Sequence, residues 1–397
     1  MKNNAIVIGL GYVGLPVAIA VAKSGSSVIG IDLNTEKVNS INKGLSPVED
    51  IRDSEIQDLI STGLFRASTD YAEIRNANVV LICVPTPLLE NQLPDLSMVE
   101  NAARRMGEYL TKDTLVILES TVAPGTTRNF LAPLIKIEAK DANGEIQIAF
   151  SPERIDPLNK NWNLQNTPKI VAGLTDDSKK NAVQFYSKFV DEVIECDSLE
   201  IAETAKLLEN SFRLINISFI NELSKLCYRL GIEVSKVINA AATKPYGFMP
   251  FYPSIGVGGH CIPVDPLYLS SKALEVGAPI QLIDLASQIN LSMPQHFVLR
   301  AQEKLGELQG KRILVVGVSY KQNVSDVRET PAEMLILGLR QKGARVFWHD
   351  DFVKVWKGEK SVALTSDYDL VILATPHDYL DLNKLGDIPM LNTRESV

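Results

Sequence analysis

The 397-residue chain has few cysteines and no pairing pattern among them. Cys83, Cys196, Cys227 and Cys261 contain no C-x-x-C pair, and four thiols in so long a chain do not make a disulfide scaffold. Positive charge is short as well: 40 Lys and Arg stand against 48 Asp and Glu, a net charge of −8 with a pI near 5.3. That excludes the basic footprint of a nucleic-acid-binding protein, and any anionic ligand must find local counter-charge. Long apolar runs are missing. The uncharged stretch Ala5–Ala22 has the outline of a leader segment, but Gly9, Gly11, Gly14 and Pro16 divide it too finely for one helix. No other uncharged segment nears the roughly 20 residues that span a bilayer, so a cytoplasmic protein without a membrane partner is expected. His296, His349 and His377 show no ligand spacing, and no metal is expected. Short-period repeats and low-complexity tracts are absent.

What is present is ordinary for a folded protein: 45% hydrophobic and 22% charged residues. The length suggests two or three domains. Short apolar runs at Ala5–Ile8, Ser27–Ile31, Val79–Val84, Leu115–Leu118 and Ile146–Phe150 read as strands, and Gly14–Lys23 as a helix that Gly25 ends. Unbroken apolar strands alternating with helices predict a parallel sheet of βαβ units. From Leu199 to Leu230 there is neither Gly nor Pro, so one helix of about 50 Å is predicted. Asp197 with Glu200 is its expected N-terminal cap and Gly231 its stop. Residues 244–266 form a loop rich in Gly, Pro and aromatics, and a loop of that length is usually functional. Helical patterning resumes over 267–305. A second αβ pattern follows, with strands at Ile313–Val316, Arg345–Trp348 and Leu370–Ala374 and a helix at Thr330–Lys342.

Gly9-Leu10-Gly11-Tyr12-Val13-Gly14 lies between the first strand and the first helix. Gly9 permits the tight turn, Gly11 a close approach of backbone to a pyrophosphate, and Gly14 close helix–strand packing. The helix N-terminus offers amides to phosphate. Asp32 ends the second strand 18 residues after Gly14, where a carboxylate accepts ribose hydroxyls and repels a 2′-phosphate. NAD is the expected cofactor. The second αβ segment has Gly317 after its first strand but no triple glycine, so a UDP-like nucleotide is expected there. The fold expected is α/β: two Rossmann-like doubly wound domains, 1–196 and 306–397, joined by a central helical domain, 197–305. Chemistry is expected in the cleft between the outer two.

Gly258-Gly259-His260-Cys261-Ile262-Pro263-Val264-Asp265 places a thiol after two glycines, with a carboxylate four residues on. Glycines there would let a bulky substrate approach the sulfur, so Cys261 reads as a nucleophile.

Further blocks accompany it in order: Gly9 through Pro16, Val84-Pro85-Thr86-Pro87, Glu119-Ser120-Thr121-Val122 and Ser151-Pro152-Glu153-Arg154. Glu203 through Asn210, and Ser319-Tyr320-Lys321 through Asp326-Val327-Arg328-Glu329-Thr330, complete the set. Together these resemble the UDP-glucose/GDP-mannose dehydrogenase family, the four-electron nucleotide-sugar 6-dehydrogenases. The resemblance implies two successive hydride transfers from C6 of a nucleotide-linked sugar, through a thiohemiacetal and a thioester on Cys261. It implies that Lys206 and Asn210, one helical turn apart, donate to the C6 oxyanion. Thr121 and Asp265 would hold a water or act through it as first-step base, and Glu153 would serve thioester hydrolysis. The glucose branch has a second Glu where this chain has Pro157. Around NAD the resemblance adds Tyr12, Val13, Pro85, Thr86, Thr121 and Arg328. Around the UDP-sugar it adds Glu153, Arg154, Lys206, Asn210, Phe251, Tyr252, Gly258 and Lys321, with Lys244 contributing a charge across a dimer interface. Useful positive charge is expected at Lys206, Lys321 and Arg328.

Ser151–Pro157, Gly256–Cys261 and Arg328–Pro331 look like the N-acetylhexosamine subgroup, and Lys244–Pro253 points within it to UDP-N-acetylglucosamine. UDP-N-acetylmannosamine, UDP-N-acetylgalactosamine and UDP-glucose stay open as substrates. A homodimer through the central helical domain and a role in surface polysaccharide synthesis are implied. The rival readings are a non-catalytic NAD- and nucleotide-binding regulator and a two-electron hydroxyacid dehydrogenase.

Overall fold

The computed structural model describes residues 4–48, 50–112, 114–139, 146–156, 159, 161–378 and 380–395. Pro157 lies outside the described residues. The chain packs as two units, Met1–Leu208 and Glu209–Val397. The first holds an eight-stranded sheet ordered β3-β2-β1-β4-β5-β6-β7-β8. Its strands are β1 (Asn4–Ile8), β2 (Ser27–Ile31), β3 (Phe65–Ser68), β4 (Val79–Ile82), β5 (Leu115–Leu118), β6 (Gln147–Phe150), β7 (Lys169–Gly173) and β8 (Val193–Glu195). All neighbours are parallel except β6 and β7. The helices are α1 (Gly14–Lys23), α2 (Thr35–Asn42), α3 (Asp53–Ser61), α4 (Ser97–Gly107), α5 (Ala132–Glu138) and α6 (Asp176–Tyr186). Successive side chains along a strand face opposite cores. Ile6, Ile8, Val80, Ile82, Val116 and Leu118 join one core, while Val7, Leu81, Ile117 and Ala149 join the other. Burial on both faces is why these strands read as unbroken apolar runs.

The unit boundary falls inside α7 (Leu199–Leu230), whose bounds match the Gly- and Pro-free run. Its expected Asp197 cap is corrected: Ser198 Oγ accepts the Ile201 N–H at 3.2 Å, being the residue just before the first helical one. Glu200 pairs instead with Arg128 at 2.6 Å. Gly231 ends the helix at φ +68°.

The second unit continues with α8 (Val234–Ala242), α9 (Asp265–Glu275), α10 (Gln281–Leu305) and α11 (Ala332–Gln341). The helical pattern over 267–305 is thus two helices, parted at Gly277-Ala278-Pro279, with Gly277 at φ +74°. Strands β9 (Arg312–Val316), β10 (Arg345–His349), β13 (Leu370–Leu373) and β14 (Met390–Asn392) form a parallel sheet ordered β10-β9-β13-β14. A small hairpin of β11 (Val355–Trp356) and β12 (Glu359–Lys360) intervenes. Met293, Phe297, Val298 and Ala301 of α10 share a core with Ile313, Val315, Leu335 and Trp348, so α10 and α11 pack with this sheet as one body. The helix expected from Thr330 starts at Ala332, with Pro331 at its N-cap position and Thr330 Oγ1 accepting the Ala332 N–H at 3.3 Å. Among the described residues no helix is long and apolar enough to cross a membrane.

A buried charge network ties β5, β7 and α6 together. Lys169 Nζ lies 2.8 Å from Glu119 Oε2, and the Tyr186 hydroxyl donates to Glu119 Oε1 at 2.5 Å. Burial, and then the Glu119 charge, push the Tyr186 phenol well up. Lys169→Met strands a buried carboxylate and should cost about 3–5 kcal/mol. Urea unfolding measures it, and an unchanged midpoint would refute the account.

Candidate active site

At the first strand end of unit one, Gly9 takes φ +93°, and a Cβ there would sit 2.6 Å from Cys83 O. A Cβ on Gly14 would sit 1.8 Å from Gly9 O, which makes it the helix–strand packing glycine. A Cβ on Gly11 would meet nothing within 4 Å. Packing therefore does not require that glycine, and the space beside it suits a pyrophosphate. Tyr12 and Val13 lead into α1. Asp32, one residue past β2, accepts the Leu10 N–H on Oδ2 and the Asn34 N–H on Oδ1, both at 2.9 Å. Lys37 Nζ reaches Oδ2 at 2.7 Å. Burial pushes the Asp32 carboxyl up, but Lys37 and the two amides outweigh it and hold it below its usual range. A carboxylate has about four lone-pair sites, so three donors leave room for a ribose hydroxyl. Lys37 was not singled out from the sequence; its signal is a cation five residues after Asp32. Pro85 is exposed and Thr86 half-buried just beyond β4.

Two buried groups from the sequence set meet in this unit: Lys206 Nζ lies 3.3 Å from Glu153 Oε2. Glu153 Oε1 also accepts the Ile155 N–H. Lys169 of the buried network donates to Pro152 O at 3.3 Å, next door to Glu153. Arg154 Nη1 donates to Pro168 O at 2.6 Å. Thr121 is half-buried in the segment after β5. One turn before Lys206 on α7, Glu203 accepts the Gly125 and Thr127 N–H groups at 2.6 and 2.8 Å, fastening the chain just beyond Thr121. Burial raises its carboxyl although those amides oppose it. In the sequence Glu203 stands only as one residue of the Glu203–Asn210 block; a fully buried acid at the face of a helix shows its task only in three dimensions.

In unit two the Asn210 amide donates to Asp265 Oδ2 at 2.6 Å, and both side chains are buried. The Asp265 N–H in turn donates to Cys261 O at 2.8 Å, opening α9. Cys83 and Cys227 are buried and Cys196 is half-buried, whereas Cys261 is exposed. Its loop is pinned at three points. Asn221 Oδ1 accepts the Ser254 N–H at 2.9 Å, and Arg328 O accepts the Gly259 N–H at 3.1 Å. Asn290 grips both sides of Val257, accepting its N–H at 2.6 Å and donating to its carbonyl at 3.2 Å. The space expected to admit substrate at the glycines is filled by protein. A Cβ on Gly258 would lie 2.6 Å from Glu329 O, and one on Gly259 (φ +83°) would lie 2.8 Å from the Tyr320 ring. These glycines press the loop onto its neighbours rather than open it. His260 is half-buried, and burial followed by the Arg328 charge lowers its pKa.

Of the three cations where useful positive charge is expected, two lie against acids. Lys206 is paired with Glu153, and Arg328 lies 2.5 Å from Asp326. Lys321 is half-buried in the segment after β9. Phe251 meets Phe212 edge-on at 5.8 Å, Tyr252 is exposed, and Lys244 Nζ sits 5.0 Å from the Tyr246 ring centre.

Residues 3–190 match the NAD binding domain of the UDP-glucose/GDP-mannose dehydrogenase family, residues 200–292 its central domain and residues 314–393 its UDP binding domain. The chain belongs to that family. It is an NAD-dependent nucleotide-sugar dehydrogenase. It is 31% identical to the UDP-N-acetyl-D-glucosamine 6-dehydrogenase of Pseudomonas aeruginosa, over 95% of this chain and 91% of that protein. It is 33% identical to the NDP-N-acetyl-D-galactosaminuronic acid dehydrogenase of Ralstonia nicotianae, over 98% of this chain and 95% of that one. The solved structure of a UDP-D-ManNAc dehydrogenase from Pyrococcus horikoshii superposes with a TM-score of 0.90 at 31% identity, covering 99% and 96% of the two chains.

For this dehydrogenase, Asn290→Ala removes two loop hydrogen bonds and should lower kcat by roughly tenfold or more, since small misplacements of reacting groups are costly. NADH production measures it; a wild-type kcat would tell against a positioned loop.

Proposed function

We propose that the enzyme oxidises C6 of a UDP-N-acetylhexosamine, UDP-N-acetylglucosamine first, to the uronic acid in two oxidations. The observation that carries this reading is the exposed Cys261 thiol on a pinned loop, one turn before the Asn210–Asp265 pair. The hexosamine choice rests on the Lys244–Pro253 segment and on relatives named for glucosamine, galactosaminuronic and mannosamine substrates at 31–33% identity. Gly9, Gly11, Gly14 and Asp32, with Lys37 beside Asp32, would hold NAD, which would supply the hydride acceptor for each oxidation. Asp265, oriented by Asn210, takes the first hydroxyl proton through a water, Thr121 serving the same water. Cys261 adds to the aldehyde carbon as thiolate, and Lys206 and Asn210 donate to the C6 oxygen as it gains charge. Oxidation of that adduct gives the thioester. Glu153, paired to Lys206, draws the proton from the water that attacks it, and the thiol leaves with a carboxylate as product. One alcohol, one water and two NAD⁺ give one carboxylate, two NADH and three protons. Lys321 and Arg154 hold the nucleotide-sugar, and Arg328 reaches the cofactor phosphates. The uronic acid supplies surface polysaccharide synthesis in the cytoplasm.

The dimer is proposed through α7. Phe212, Phe219 and Leu226 are exposed at seven-residue spacing, the repeat by which one helix packs on another, and a second copy of the chain is the occupant that fits. Lys244 then adds charge across that interface. Phe219→Glu should turn a dimer into a monomer in light scattering after size exclusion; an unchanged mass would count against α7.

A panel of UDP-sugars with NADH counted per sugar tests the reaction. Two NADH per UDP-N-acetylglucosamine are expected, and Cys261→Ser should abolish acid formation. One NADH per sugar, or wild-type acid yield from Cys261→Ser, would sink it.

A further inference from the structure

The two sheets repeat one construction at the ends of their first strands. Gly9 follows β1 at φ +93°, donates to Ile31 O at 2.7 Å and presses on Cys83 O. Gly317 follows β9 at φ +86°, donates to His349 O at 2.8 Å and presses on Thr375 O. The next amide goes to an acid one residue past the neighbouring strand: Leu10 N–H to Asp32, and Val318 N–H to Asp350, each at 2.9 Å. The segments past β4 and β13, the other neighbours of β1 and β9, match as well, Val84-Pro85-Thr86 against Thr375-Pro376-His377.

There the two acids part. The Asp32 side chain is 12% exposed and that of Asp350 is 0% exposed. Asp350 accepts the Val318, Ser319, Phe352 and Val353 amides at 2.9 to 3.3 Å. His377 Nε2 makes a further polar contact with its Oδ1 at 3.1 Å. The four amides alone fill a carboxylate's roughly four lone-pair sites, so no ribose hydroxyl can be taken. The His377 ring is buried, with Phe352 edge-on at 4.9 Å. Its Nδ1 accepts the Asn323 N–H at 2.9 Å, which puts the ring proton on Nε2, facing Asp350. The segment after β9 is thereby fastened at both ends, by Asp350 at 318–319 and by His377 at 323. Lys321 lies between, its carbonyl accepting the Ser319 hydroxyl at 3.0 Å.

We propose that His377, with Asp350, is a positioning residue for the nucleotide: it locks residues 317–323 so that Lys321 is presented to UDP, and it seals the acid that the NAD-binding half leaves open. The proposal rests on the reading of Lys321 given above and is independent of the chemistry at Cys261.

The test uses the full chain, with UDP affinity by calorimetry and steady-state kinetics. His377→Thr installs the residue that the NAD-binding half carries at this place. It should raise the UDP Kd and the KM for UDP-sugar about tenfold, the scale of losing hydrogen bonds at a charged group. The kcat and the KM for NAD should stay within about twofold. His377→Gln, which keeps a donor and an acceptor, should recover most of the affinity. His377→Phe keeps the ring contact with Phe352, loses both polar contacts, and decides the matter should the threonine variant not fold. An unchanged UDP Kd, or a KM for NAD that rises in step, overturns the proposal. Lys321→Ala is the reference. If it binds UDP as wild type does, the reading of Lys321 has failed; if it weakens binding while His377→Thr does not, the proposal alone has failed.

Discussion

A parallel strand ends with main-chain amides that still need acceptors, and a tight turn leaves little room to supply them. In this protein the answer in both sheets is an aspartate one residue past the neighbouring strand. Asp32 takes the Leu10 N–H, and Asp350 takes those of Val318 and Ser319. The turns themselves are forced: Gly9 and Gly317 face the carbonyls of Cys83 and Thr375 too closely for any Cβ. Once strand, glycine and acid are fixed, the direction of the chain beyond each first strand follows. In unit one that direction opens α1 toward the space beside Gly11. The same device thus ends both first strands, and the difference between the domains lies in what else reaches the acid.

Charge is handled by pairing rather than by accumulation. A chain of net −8 that binds anionic ligands invites the idea of uncompensated cations. Lys206 and Arg328 instead lie against Glu153 and Asp326. A buried ammonium with a partner keeps its position and its charge, whereas one without would be costly to desolvate. Main-chain amides at glycine turns and helix N-termini can add to the attraction for phosphate without any net charge on the protein.

Much of this was legible in the sequence because the signals were local. α1, β2, β5 and α7 have the bounds that glycine punctuation and apolar runs mark out. β3 and β8 escaped notice, being short edge strands without an apolar run of their own, and β7 was missed although it carries Ile170-Val171-Ala172. The resemblance supplied candidate residues, and the structure adds the contacts between them, such as Asn210 with Asp265, 55 positions apart. Nothing in the spacing of Glu203, Asn221 or Asn290 announces that each holds main chain from another segment. Such side chains are polar residues in helices, and only burial separates them from solvated ones.

The glycines before Cys261 show why a motif is read wrongly when each residue is assigned to the ligand. The sulfur needs exposure, which it has, but a nucleophile on a loose loop would lose the benefit of fixed geometry. Rigid exposure requires that the adjoining backbone be clamped while the side chain stays outside. Gly258 and Gly259 allow the main chain to lie against Tyr320 and Glu329, and Asn290 and the Arg328 carbonyl hold it there. The segment that supports the loop from Tyr320 to Pro331 continues directly from the one that His377 and Asp350 fasten. Within unit two, the thiol's loop and the nucleotide domain are therefore parts of one packed surface, and Cys261 keeps its own clamp through Asn290 and the Arg328 carbonyl.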